Sequence, residues 1–219
     1  MADVKTDLSY EAAHEANIKI GSSEKGRKWL TDKELGEGLL NEFEEKEKLK
    51  AENVRDGLTG AYNRRYFDQQ LEDRLKSGKK LSLVMVDVDH FKEFNDTYGH
   101  KTGDRLLIEM VRTLSNHLRL SRPNGSKDFL ARYGGEEFAI VLADVTDIEV
   151  AKKISDNLRL QIAESKFKID TDTIAVKTVS MGVAVARGIE NPDELVTRAD
   201  KAMYVAKDKG RNRVETASN

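Results

Sequence analysis

Apolar positions along this chain switch between a helical and a strand period, and the switches lay out its elements. In LSLVMVDVD (81–89), Leu83 and Met85 alternate with Val84 and Val86, so both faces are apolar. A strand of that kind is expected at the centre of a sheet covered on both sides. Before it, RRYFDQQLEDRLKSG predicts a helix that starts after Asn63 and ends near Gly78. After it, GHKTGDRLLIEMVRTLSNHLR predicts a helix with Leu107, Met110, Val111, Leu114 and Leu118 on one side. DFLARY (128–133) and EEFAIVLA (136–143) predict two strands joined at Gly134-Gly135, a two-residue link that signals a hairpin. Residues 146–163 predict a helix, with Val150, Ile154, Leu158 and Ile162 at four-residue steps. TIAVKTVSMGVAVA (173–186) has the β-propensity of one strand. Pro192, with Asn191 as cap, opens a last helix that Gly210 stops. The order α-β-α-β-β-α-β-α predicts an α/β (α+β) fold: a mixed central sheet flanked by helices, with a βαββαβ core.

The N-terminal region reads differently. Residues 1 to about 30 have little apolar periodicity and predict a mobile arm, with a short helix around Tyr10 to Ile18. From Asp32 to Arg55 helix formers dominate, and Glu42–Lys46 and Glu44–Lys48 stand at i,i+4. The thin stripe Leu35, Leu39, Phe43, Leu49 and Val54 suits either a linker helix that pairs in a dimer or a solvated helix on the domain. The expected organisation is an arm and linker over 1–50, a catalytic domain over 51–215 and a tail over 216–219.

Composition narrows the function classes. Hydrophobic residues make up 38% and charged residues 35%, and no apolar run approaches the roughly 20 residues a membrane span needs. The N-terminus has no basic segment followed by an apolar one, so no secretory signal is expected and the cytoplasm is the default compartment. The chain has no cysteine, which excludes disulfides, thiolate catalysis and Cys-ligated zinc. The net charge of −2 offers no global field for a nucleic-acid backbone. A polyanion would have to meet a local basic cluster, and Lys201, Lys207, Lys209, Arg211 and Arg213 form one near the C-terminus.

Asp87 and Glu136 are the first candidates for chemistry. Each sits at the end of a predicted core strand, where a carboxylate is costly to bury unless it meets a cation or donors. On neighbouring strands they can share one divalent ion, and oxygen-only ligands favour Mg²⁺ or Mn²⁺. The spacing equally suits two carboxylates that cap backbone amides. Gly134 and Gly135 can admit a phosphate close to the backbone, or can simply form a turn.

RYGGEEF (132–138) resembles the signature of the GGDEF domain, and it does not stand alone. RDGLTGAYNRRYF (55–67) is similar to the family's opening D-x-L-T-G-x-x-N-R-R motif. VDVDHFKEFNDTYGHKTGD (86–104) is similar to its D-x-D-x-F-K-x-x-N-D-x-x-G-H-x-x-G-D block. ADKAMYVAKDKGRNRV (199–214) is similar to its closing A-D-x-A-M-Y-x-A-K-x-x-G-R-N motif. The resemblance implies a nucleotide-cyclase or polymerase-palm core and a diguanylate cyclase that condenses two GTP into cyclic di-GMP and diphosphate. It implies that Asp87, the Val88 carbonyl and Glu136 hold Mg²⁺ or Mn²⁺. Glu137 is held more loosely, because in an extended strand it points away from Glu136. It implies that Asn95 and Asp104 bind guanine with His100 as a neighbour, and that Phe91, Lys92, Gly134 and Gly135 lie at the nucleotide. Lys207 and Arg211, four apart and expected on one helical face, would grip the β- and γ-phosphates. Glu136 is the family's candidate to take the 3′-hydroxyl proton, although a metal-bound carboxylate is a weakened base. Asp104 accepts from guanine N1–H and N2 and would meet adenine with lone pair against lone pair, which argues for GTP. One GTP per domain implies a homodimer with two-fold symmetry. The implied partners are GTP, cyclic di-GMP and a second copy, with no nucleic acid or membrane segment, and a regulatory partner can act through residues 1–50.

The chain departs from the family pattern at one place. Many relatives carry an inhibitory Arg-x-x-Asp before the signature, whereas the corresponding residues here are Gly125-Ser126-Lys127-Asp128. Only Asp128 remains of that site, so strong product inhibition through it is not expected. A catalytically idle binding module is the competing reading. Such modules lose signature carboxylates or glycines, and this chain keeps Asp87, Gly134, Gly135, Glu136, Glu137 and Phe138.

Overall fold

The computed structural model describes residues 54–118, 127–168 and 174–218. The chain divides at Asn53/Val54, and these residues belong to the second unit, Val54–Asn219. The arm and linker helix expected over residues 1–50 lie outside the described residues.

The elements are α1 (Arg64–Lys76), β1 (Leu81–Val88), α2 (Phe91–Tyr98), α3 (His100–His117), β2 (Phe129–Arg132), β3 (Glu137–Ala143), α4 (Ile148–Glu164), β4 (Phe167–Lys168), β5 (Ile174–Ala175), β6 (Val179–Val185), α5 (Pro192–Asp208) and β7 (Val214–Thr216). Five strands form a sheet in the order β2-β3-β1-β6-β7. All its pairs are antiparallel except β6–β7, so the sheet is mixed as predicted. Its first four strands, with α3 and α4 as crossovers, make the expected βαββαβ core.

β1 is central and buried along its whole length. Its alternation sends Val84, Val86 and Val88 into one core with α3 and α4. Leu81, Leu83 and Met85 go into the other, with Phe67, Leu71 and Leu75 of α1 and Leu195, Ala199 and Met203 of α5. Local capping sets the helix starts. Asn63 accepts from the Tyr66 amide, Asp147 from Glu149 and Val150, and Asn191 from Asp193.

Several expectations need correction. The hairpin loop is four residues, Tyr133–Glu136, because the β2–β3 ladder ends at Arg132↔Phe138. Neither glycine in that loop has a positive φ, so no primed two-residue turn forms. The single strand expected over 173–186 splits into β5, which pairs with β4, and β6. The break falls where Lys177 Nζ donates to the His90 carbonyl and Thr178 Oγ1 to Asp89. On α4, Val150 is 48% exposed, and the buried face starts with Ala151 and Ser155 instead. The short α2 was not expected, nor was β7. Residues 217 and 218 continue past β7 with hydrogen bonds, Ala217 N–H to Val183 O (2.8 Å) and Arg187 Nη2 to Ser218 O (3.3 Å).

Candidate active site

The site lies at the ends of β1 and β3, on the face that carries α5. Asp87, near the C-terminal end of β1, is 8% exposed and accepts from Lys207 Nζ at 2.7 Å. The register places Glu137 directly opposite Asp87 on β3. Directly opposed residues of an antiparallel pair share a face. Glu137 therefore stands on the Asp87 face, and it is not the remote member of the pair that its sequence position suggested. Glu136 precedes β3 and belongs to the hairpin loop, so strand alternation does not govern it. Burial raises the Asp87 pKa, Lys207 pulls it back, and the charges of Glu136 and Glu137 push it up again.

Asp87 pairs with the Lys207 ammonium, and the charges of Glu136 and Glu137 bear on Asp87 itself. All the donors are oxygen, the set that suits Mg²⁺ or Mn²⁺. Among the described residues no three His, Cys, Asp or Glu side chains are gathered closely enough to hold an ion by themselves. An ion here would draw on the Val88 backbone carbonyl and on ligand oxygens as well, which is how Mg²⁺ is commonly held. The residues fit such an ion on those terms.

The hairpin loop leaves room for one of these carboxylates and is tied down by an arginine. A β-carbon on Gly134 would lie 2.9 Å from Glu137 Oε2, so the glycine makes room for that carboxylate. Gly135 meets nothing, and its carbonyl accepts from Arg132 Nε and Nη2 at 3.0 and 2.8 Å. The other arm of Arg132 reaches Asp56 at 3.2 and 3.3 Å. Asp56 also accepts from the Thr59 amide and hydroxyl at 2.8 and 2.6 Å. Burial raises the Asp56 carboxyl pKa, but the Thr59 hydrogen bonds and Arg132 outweigh it and hold the pKa below its ordinary value. One guanidinium therefore ties the chain's entry turn to the signature loop.

On the other side of β1, His90 turns the chain with φ 55°, and Phe91 and Lys92 open α2. Phe91 is buried and Lys92 exposed. Asn95, on the same helix, has a buried Oδ1 with no hydrogen-bond partner. It packs against Gly103 of α3, where a β-carbon would lie 2.9 Å from Asn95 Cγ and closer still to Oδ1. Asp104 is the next residue and is exposed, as is His100 at the start of α3. The structure thus brings Asn95 next to the turn that carries Asp104.

Arg211 is not where the sequence put it. α5 ends at Asp208, and Gly210, Arg211 and Asn212 follow with φ of 107°, 63° and 45°. Lys207 is in the last helical turn and Arg211 in a left-handed turn beyond it, so they share no helical face. The C-terminal basic cluster is also partly neutralised, since Lys209 and Arg213 both pair with Glu215. Asp128 is 2% exposed and accepts from the Ala143 amide at 2.9 Å, which makes it a buried support of β3. Gly125 lies outside the described residues.

Among the motif residues that had no assigned role, Asp56, Arg132, Gly103 and Asp89 shape the site, and Asp89 is buried beside Ser180, the residue opposite Asp87. Strand alternation alone puts residues 87 and 89 on one side, and that was the available signal.

Comparison with known proteins follows the same outline. Residues 53–213 match the family model described as diguanylate cyclase, GGDEF domain. The chain is 35% identical over 164 residues to diguanylate cyclase DosC of Escherichia coli (73% of this chain, 34% of the relative). It is 36% identical over 167 residues to response regulator PleD of Caulobacter vibrioides (74% and 35%). The chain spans about a third of the length of these relatives. Among solved structures it resembles the coiled coil and GGDEF domain of DgcB from Caulobacter crescentus in complex with c-di-GMP. That match has a TM-score of 0.72 and 31% identity, and covers 83% of this chain and 95% of that one. It also resembles diguanylate cyclase SiaD of Pseudomonas aeruginosa, solved with its activator SiaC. There the TM-score is 0.70, the identity 30% and the coverage 97% and 81%.

Proposed function

The chain belongs to the GGDEF family of diguanylate cyclase domains, and on that premise we propose that it is itself an active cyclase, condensing two GTP into cyclic di-GMP as a homodimer. The observation that carries this reading is the charge count at the strand ends. Asp87 is paired with Lys207 and also feels the charges of Glu136 and Glu137, an excess of negative charge that a divalent cation would relieve.

In the proposed reaction the 3′-oxygen of one GTP bonds to the α-phosphorus of the other. The bond from that phosphorus to the bridging oxygen breaks and diphosphate leaves. Mg²⁺ when bound supplies charge stabilisation on the transferring and leaving oxygens. Glu136, freed from strand geometry by its place in the loop, takes the 3′-hydroxyl proton. Lys207 and Arg211 meet the negative charge that builds on the leaving β- and γ-phosphates. Asn95 Oδ1, which lacks a protein partner, accepts from a guanine donor, and Asp104 accepts from N1–H and N2. Adenine has a lone pair at N1 and no amino group at C2, so Asp104 would meet it with lone pair against lone pair. The reaction then repeats with the roles exchanged, so two domains must face each other. Residues 1–52, outside the family match, are the segment through which pairing or an activator protein would act.

The test is purified protein with GTP and Mg²⁺, with the product identified by mass and ATP run in parallel. Cyclic di-GMP from GTP, nothing from ATP and no product from Glu136→Gln are expected. A folded, GTP-binding dimer that makes no cyclic dinucleotide would establish the idle binding module instead.

A further inference from the structure

Asp89 is a buried carboxylate for which the proposed chemistry has no task. It is 2% exposed, one residue past the end of β1, and it bonds Ser180, the residue that stands opposite Asp87 on β6. Its Oδ1 accepts from Ser180 Oγ at 2.6 Å, and its Oδ2 from Thr178 Oγ1 at 2.6 Å. Oδ2 also accepts the Asn212 backbone N–H at 3.0 Å. One side chain therefore joins the end of β1, the start of β6 and the turn after α5.

That turn is conformationally unusual. Arg211 and Asn212 both have positive φ, directly after a glycine that does too. Asparagine tolerates the left-handed region; arginine has no local reason to enter it. Such a conformation persists only where the surroundings over-determine it, and it then points to a task. Several contacts hold the turn. The Arg211 N–H donates to Ala206 O at 3.0 Å, Arg159 Nη1 to Asn212 Oδ1 at 2.7 Å, and the Met181 N–H to Arg213 O at 2.9 Å. The Asp89 bond is the one made to a buried charge, and a charge-assisted hydrogen bond is roughly twice as strong as a neutral one. The two carboxylates thus divide the work: Asp87 holds Lys207, and Asp89 holds the turn that presents Arg211.

We propose that Asp89 is a positioning residue, a buried latch that keeps the Arg211–Asn212 turn left-handed and so sets where Arg211 meets the β- and γ-phosphates of a nucleoside triphosphate. This rests on the nucleotide reading of the site. Asp89→Asn keeps the shape but makes the acceptor neutral and turns one oxygen into a donor. Thr178 and Ser180 can rotate their hydroxyls to suit; the Asn212 N–H cannot.

The experiment is a double-mutant cycle of Asp89→Asn and Arg211→Ala on the full chain, read as affinity for 3′-deoxy-GTP, which cannot react, and for GMP, which lacks the outer phosphates. Asp89→Asn is expected to weaken 3′-deoxy-GTP by about fivefold and to leave GMP unchanged. In the Arg211→Ala background its effect should shrink below about twofold, since the two act as a unit. Equal losses for both ligands, or an undiminished loss beside Arg211→Ala, would overturn the latch. Should the variant not fold, hydrogen exchange of the Asn212 amide in the unaltered protein decides: strong protection is expected, and exchange at the rate of an exposed amide refutes it. If the unaltered protein binds neither nucleotide, the nucleotide reading fails and the same amide still tests the latch.

Discussion

Gly103→Ala separates stability from recognition at this site. Gly103 is the fourth residue of α3, and its missing side chain leaves the space that the Asn95 amide fills. A β-carbon there would lie 2.9 Å from Asn95 Cγ and 3.1 Å from Phe91 Cζ. Carbon–carbon contacts settle at about 3.5–4.0 Å, so the amide would retreat by roughly 1 Å. The retreat is cheap in stability, because the end of a half-buried side chain moves rather than backbone. Alanine also gains about 0.5–1 kcal/mol over glycine inside a helix, which offsets crowding of about 1–3 kcal/mol. The melting temperature should therefore change by only a few degrees. Recognition is less forgiving. The proposed Asn95–guanine hydrogen bond, displaced by about 1 Å, is largely lost, which at about 0.5–1.5 kcal/mol predicts a loss of GTP affinity of roughly two- to thirteenfold. Calorimetric titration with 3′-deoxy-GTP measures that loss, and thermal melting measures the stability. The reasoning is refuted if affinity is unchanged from the unaltered protein. It is equally refuted if Gly103→Ala weakens binding just as much when Asn95 is already alanine.

Gly182→Ala should behave oppositely, because its β-carbon would meet α5 backbone, with Ala202 C at 2.8 Å and nearer atoms of Ala199 and Met203; neither chain can yield, and a loss above about 3 kcal/mol in denaturant melts is expected. The Asp56 pKa is depressed in the fold, so its contribution to stability is full above its ordinary value near 3.8 and is lost as pH falls through the lower folded value. Denaturant midpoints measured between about pH 5 and 2 should accordingly fall less for Asp56→Asn than for the unaltered protein. Asp128→Ala removes a buried acceptor from the Ala143 amide and should cost about 1–3 kcal/mol. Added cyclic di-GMP should leave turnover by the unaltered chain unchanged in the micromolar range, and inhibition abolished by Asp128→Ala alone would contradict this.

Much of the architecture was legible in local pattern. The doubly apolar alternation of 81–88 identified the central strand because burial on both faces requires it. Asn63, Asn191 and Pro192 marked helix starts because capping is a short-range interaction that needs only neighbours in sequence. The four motif blocks identified the family, and with it the residues expected at a cation and nucleotide site. Where local pattern misled, a distant group intervened. The strand expected over 173–186 breaks where Lys177 and Thr178 turn to the end of β1. The hairpin loop opens to four residues where Arg132 takes the Gly135 carbonyl and bridges to Asp56, 76 positions away. The stripe on α4 shifts from Val150 to Ala151 and Ser155.

The sequence by itself thus determined the element types, the central strand, the family and the chemistry available, because each depends on residue identity and on period. Only the tertiary structure decided which carboxylates share a face. Strand alternation in one chain segment separates Glu136 from Glu137, but it is the β1–β3 register that sets Glu137 opposite Asp87. Likewise a helical period put Arg211 on the face of Lys207, whereas the helix ends at Asp208 and the turn beyond it donates the Asn212 N–H to Asp89, more than a hundred residues earlier. Register and long-range hydrogen bonds pair residues that no local pattern connects, and in this protein those pairings arrange the site.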